Sequence, residues 1–130
     1  MKLLLDTHTF MWFVDGNEKL HAHARNLIED SGNVRLLSIG SLWEMSIKAG
    51  LGKLDVRVSF EELVRKQVEP NAISLLPIRP MHLDLLRTLP FPHRDPFDRL
   101  LIAQAMVEGA VILSRDGVFD QYPITRVWSG

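Results

Sequence analysis

The chain lacks cysteine altogether, has a single tyrosine, and carries a formal net charge of only -1. Without cysteine there is neither a disulfide framework nor a thiolate zinc site, which fits a reducing compartment. The near-neutral balance excludes a broad basic field, so any nucleic-acid role must rest on local patches. No apolar run approaches the ~20 residues of a membrane span. The opening Met1–Leu5 is cut by Asp6 and His8 well short of a signal-peptide core. Internal repeats and low-complexity tracts are missing too. The expectation is a cytoplasmic protein without membrane contact. What is present is ordinary globular usage, 46% hydrophobic and 24% charged residues. The 130 residues suit one domain, 1–130, burying about two-thirds of its unfolded surface.

The pattern alternates. Leu3-Leu4-Leu5 is a short, continuous apolar run ending at Asp6-Thr7, as in a strand buried on both faces. Thr9 to Val14 is dense in large apolar groups and stops at the turn Asp15-Gly16-Asn17. Leu20, Ala24, Leu27 and Ile28 give a helical stripe over Glu18–Glu29. Val34–Ile39 is a second strand, followed by a helix from about Ser41 to Ala49, on which Ser41 and Glu44 have capping-box spacing. Ser59 and Glu62 form another such box, opening a helix to about Val68. Ile73–Ile78 is a third strand, demoted to a sheet edge by Pro77. Pro80 opens a short helix.

The clearest signal lies at Asp95-Pro96-Phe97-Asp98, where Asp95 is a favoured N-cap, Pro96 sits at the first helical position and Asp98 faces the positive end of the helix dipole. That helix, apolar on most faces, ends at Gly109. Ala110–Leu113 is a fourth strand, and Thr125–Trp128 could add a last one. The fold class expected is α/β: a doubly wound, mostly parallel sheet of about four or five strands flanked by helices.

In such a sheet, strand C-termini and helix N-termini share one edge, where ligands bind. Asp6 ends the first strand, Glu44 follows the second, Asp98 opens the helix before the fourth, and Asp116 follows the fourth. At separations of roughly 4–6 Å, each like-charge pair costs on the order of a few kcal/mol. Protonation can relieve this, and so can a hard dication, Mg²⁺ or Mn²⁺, held by oxygen ligands. The metal is the favoured answer. Local explanations stand beside it: Asp95 and Asp98 as helix-start residues, and Glu44 as half of a capping box.

The whole chain resembles the PIN-domain ribonucleases, and among them the VapC-type toxins of toxin–antitoxin pairs. The likeness is carried by LLLDTH, SLWEMSIK, HRDPFDRLLIAQA and ILSRDGVFDQY, in that order. It implies that Asp6, Glu44, Asp98 and Asp116 are the catalytic, metal-holding acids, with Ser114, Thr7 and Asp120 in support and Asp95 left as a cap. It also implies an RNA substrate hydrolysed by a metal-activated water to a 3′-hydroxyl and a 5′-phosphate, a small cognate antitoxin, and a homodimer. Arg94, Arg99 and Arg115 flank the acids and are placed as RNA phosphate contacts, although surface ion pairs explain them nearly as well. His8 and His93 are read first as packing residues. Trp12, Phe13 and Trp43 are candidate antitoxin anchors.

Two rival functions fit the same fold class. A phosphatase or phosphotransferase could use Asp6 as nucleophile, but His8 stands where the haloacid-dehalogenase pattern wants a second Asp. A non-catalytic metal-binding interaction module would leave the flanking arginines without a purpose.

Overall fold

Leu3, Leu4 and Leu5 are fully buried because their strand, β1 (Lys2–Leu5), runs through the middle of a parallel sheet. The computed structural model describes residues 1–90 and 95–129. Side chains alternate across the strand. Leu3 and Leu5 join Phe10, Ala24, Ile28, Leu37 and Met45 on one face, while Leu4 joins Leu36, Leu101, Ile102 and Ile112 on the other. Both faces are therefore covered, as the uninterrupted leucines predict.

The remaining strands are β2 (Val34–Ser38), β3 (Ile73–Leu76), β4 (Val111–Leu113) and β5 (Arg126–Val127). They lie in the order β3-β2-β1-β4-β5, and every neighbouring pair is parallel. This is the doubly wound α/β sheet expected, with β3 at one edge; it stops at Leu76, so Pro77 lies just past the strand and not within it. The chain winds outward from β1 through β2 to β3, then returns to the far side of β1 to make β4. The strand order thus reverses at the β1–β4 boundary, where this fold opens a crevice at the carboxyl ends.

The helices are α1 (Thr7–Asp15), α2 (Ala22–Glu29), α3 (Ile39–Gly50), α4 (Phe60–Leu63, continued by a π turn over Val64–Val68), α5 (Pro80–Leu86) and α6 (Pro96–Glu108). At α6 the start signal works as predicted: Asp95 Oδ1 accepts from the amides of Phe97 (2.9 Å) and Asp98 (3.1 Å). Gly109 ends the helix at φ 64°, a left-handed geometry that favours glycine.

Other boundaries differ from expectation as well. The apolar cluster at 9–14 is itself helical, forming most of α1. The stripe expected from Glu18 starts only at Ala22, because Asn17 takes the Lys19 amide on its side chain (2.9 Å) and the Leu20 amide on its carbonyl (3.1 Å), making a turn. And α3 starts earlier than Ser41. Its cap is Ser38, whose hydroxyl accepts from Gly40 N at 3.0 Å. Ser41 is therefore not a cap, and the capping-box account of Glu44 falls.

One buried group had no sequence signal. His82 is fully buried, takes the Arg79 amide on Nδ1 (3.0 Å) and donates from Nε2 to Glu108 (2.9 Å), fastening α5 to α6. That hydrogen bond holds the Glu108 carboxyl below its ordinary 4.5.

The first turn of α3 lies against α6 so closely that a Cβ on Gly40 would stand 2.5 Å from Leu100 Cδ2. Leu100 is buried and cannot simply swing away. Gly40→Ala is expected to cost about 1–3 kcal/mol through forced repacking, read as a lowered urea midpoint. An unchanged midpoint would mean the two helices have room to separate.

Candidate active site

Asp6 follows β1 and Ser114 follows β4, so pairing of those strands brings them together although they are 108 residues apart. Asp6 is the N-cap of α1, and its Oδ1 accepts from Thr9 N at 2.8 Å. Its Oδ2 accepts from the Ser114 hydroxyl at 2.5 Å, and the same hydroxyl oxygen accepts from Asp116 N at 3.0 Å. The carboxylate is only 7% exposed, yet both oxygens have donors. Ser114 thus holds the Asp6 side chain on one side and the Asp116 backbone on the other.

Asp116 caps the short 3₁₀ turn Gly117–Gln121 by accepting from Val118 N at 3.0 Å. Asp6 and Asp116 line one open depression of about 440 Å³, together with His8, Trp12, Arg115 and Gly117. The depression sits at the strand-order reversal described above.

Thr7 extends this cluster toward α3. Its hydroxyl donates to Glu44 Oε1 at 2.7 Å and lies 3.1 Å from Ser41 Oγ. The other oxygen of Glu44 accepts from Lys48 Nζ at 2.7 Å. Glu44 is buried, so its charge is compensated by an ammonium one helical turn away. Asp98 is in the first turn of α6, partly buried. The residues just before these two acids meet: the rings of Trp43 and Phe97 stand edge to face at 5.2 Å. That contact ties the Glu44 turn of α3 to the Asp98 turn of α6.

Asp120 acts from further back. It holds Arg126 with two bonds of 3.0 Å, and Arg126 in turn donates to the Ser114 carbonyl at 3.1 Å. The Arg126 hydrogen bond keeps the Asp120 carboxyl below its usual range, while Asp120 and then Asp116 raise the arginine. A line therefore runs from Asp120 through Arg126 to the residue that holds Asp6.

The arginines separate. Arg115 is exposed at the depression, with its guanidinium 4.7 Å from the Trp12 ring centre. Arg99 is a correction: it is 4% exposed, and it donates to the carbonyls of Leu86 (3.4 Å), Leu89 (3.1 Å) and Pro90 (2.5 Å). A guanidinium spent on buried backbone oxygens cannot also receive RNA phosphate. Arg94 and His93 lie outside the described residues. Lys48 and Arg126 were missed in the sequence. Lys48 carried a usable signal, the Glu-to-Lys spacing of one helical turn, whereas nothing local marks Arg126.

The depression presents hard oxygen donors from Asp6 and Asp116, a set that suits a dication keeping most of its water shell. Among the described residues, no three acidic or histidine side chains stand together as a ready ion cage. The donors fit an open, water-rich site rather than a closed one.

Comparison with known proteins agrees with this architecture. No curated protein matches by sequence. Among solved structures, the chain is similar to VapBC2 from Rickettsia felis bound to a DNA fragment from their promoter, with TM-score 0.69, 14% identity, and coverage of 99% of this chain and 100% of that one. It is similar to FitAB bound to an IR36 DNA fragment, with TM-score 0.65, 18% identity, and coverage of 96% and 93%. It is also similar to VapBC-1 from nontypeable Haemophilus influenzae, with TM-score 0.64, 14% identity, and coverage of 98% and 97%. At these identities the likeness speaks to the fold. A family model for the PIN domain matches residues 3–124, a span that holds Asp6, Glu44, Asp98 and Asp116 alike. The chain belongs to the PIN domain family.

Proposed function

We propose that this chain is a Mg²⁺- or Mn²⁺-dependent endoribonuclease, the VapC-type toxin of a toxin–antitoxin pair. The observation that carries the proposal is Asp6 and Asp116 lining one open depression at the strand-order reversal, with Ser114 bonded to both. Asp6 and Asp116 would hold the metal, and Glu44 and Asp98 border the same end of the sheet. When bound, a dication there supplies a polarised phosphodiester oxygen and a water acidic enough to attack at neutral pH.

The chain's own groups do the rest. Ser114 aims Asp6, as a hydrogen-bonded partner aims a ligand. Thr7 and Lys48 hold the two oxygens of Glu44 in place, Thr7 being the residue next to Asp6 in the chain. Arg115, exposed at the rim, attracts phosphate to a chain whose overall charge would not. By the family likeness, hydrolysis would leave a 3′-hydroxyl and a 5′-phosphate.

Partnership with an antitoxin is supported by the VapBC and FitAB relatives and by an apolar stripe on α3. Ile39, Trp43, Ile47 and Leu51 are all exposed at four-residue spacing, with Trp43 at 57%. A homodimer is part of the same proposal. We also assign the protein to the cytoplasm; no helix among the described residues is long and apolar enough to cross a membrane.

Purified full-length chain is expected to cut single-stranded RNA with Mg²⁺, to stop in EDTA, and to release no inorganic phosphate from small phosphate esters. RNA left intact with Mg²⁺ would refute the nuclease, and phosphate release would favour the phosphatase rival.

A further inference from the structure

We infer that Trp12 is a stacking platform for one unpaired nucleobase beside the scissile linkage, with Arg115 receiving the neighbouring phosphate; the inference rests on the nuclease reading above. The indole forms part of the wall of the depression that Asp6 and Asp116 line. Asp6 caps α1, and that helix sends His8 from its first turn and Trp12 from its second into the wall. Its ring is braced: Trp128, just past β5, meets it edge-on at 6.0 Å and 66°. The His8 imidazole stands 5.9 Å from it at 31°.

The indole is half-buried against the core, and the part of it that reaches the wall offers a surface that neither a metal nor a phosphate uses. A base does. Unpaired bases are recognised by stacking on aromatic rings and guanidinium planes, and the wall offers both. Arg115 strengthens the argument, since among the described residues it forms a cation–π contact with Trp12 and no ion pair, although Asp116 is its neighbour in sequence. Its charge remains open to an incoming phosphate, and the ring fixes where that charge sits.

The test measures binding, so that cleavage does not enter it. A labelled, hydrolysis-resistant phosphorothioate oligoribonucleotide is titrated with Mg²⁺ present, alongside an abasic strand of equal length and charge. The parent should prefer the base-bearing strand. Trp12→Leu should weaken that strand about tenfold and leave the abasic strand unchanged, while Trp12→Phe should keep most of the preference. Arg115→Ala should weaken both strands alike. A Trp12→Leu chain that weakens both strands equally, or neither, overturns the platform. So does one that keeps the base preference but loses a protein partner, which would put the ring in a protein interface. If the parent cleaves RNA and the base preference ignores Trp12, only the platform falls. If the parent cleaves nothing yet prefers bases through Trp12, the platform stands and the nuclease falls.

Discussion

Asp6→Asn is expected to abolish Mg²⁺-dependent RNA cleavage, by about 10³-fold or more, at a stability cost of only about 1 kcal/mol. The first half follows from charge. A ligand carboxylate contributes to several kcal/mol of transition-state stabilisation at a metal site, and ~4 kcal/mol corresponds to about three orders of magnitude in rate. The second half follows from the helix. Asp6 caps α1 by accepting from Thr9 N, and Asn is an equally good cap, so the loss is confined to the Ser114 bond, which an amide nitrogen cannot accept. The same variant therefore separates chemistry from folding. Ser114→Ala should fall between, costing about 10–100-fold because the ligand survives but its aim is lost. A fully active Asp6→Asn chain would remove the mechanism. An inactive one that also melts far earlier than this cost predicts would show only that Asp6 is structural.

Arg99→Met is expected to cost at least about 3 kcal/mol of stability, a fall in melting temperature of at least about 10 °C. Each charge-assisted hydrogen bond to buried backbone is worth about 1.5–3 kcal/mol, and the substitution withdraws the guanidinium from the carbonyls of Leu86, Leu89 and Pro90. Those carbonyls lie in the segment that ends α5 and leads toward α6. Lysine should not rescue the loss, because a single ammonium cannot reproduce the fan of guanidinium donors. The measurement also separates structure from substrate binding. If Arg99 met RNA phosphate, the variant would bind RNA more weakly and with a shallower salt dependence while its melting temperature held. We expect the reverse.

What the sequence disclosed and what it hid divide along a physical line. Continuous leucines in β1, proline and aspartate at the start of α6, Gly109 at its end and Pro77 just past the edge strand are local signals, each with its cause within a few residues. They were enough to set the strand-helix alternation, and hence the edge to which Asp6 and Asp116 both run. The hidden features need a partner remote in the chain. Whether Ser38 or Ser41 caps α3 depends on where β2 stops pairing, and both serines have suitable chemistry. The role of Arg99 depends on where the end of α5 passes, and in sequence an arginine beside an acidic motif looks the same whether it meets phosphate or backbone. Arg126 reaches the site only because β5 pairs with β4. His82 gave no warning, since an imidazole between two helices looks in sequence like any surface histidine.

The depression is built from the first strand of the chain and from a segment close to its last. Asp6 and the hydroxyl that steadies it are more than a hundred positions apart. The depression consequently cannot form until β4 has been made and has paired with β1. Under the nuclease proposal, a polypeptide stopped before β4 would carry half a site, with Asp6 held by its own helix alone.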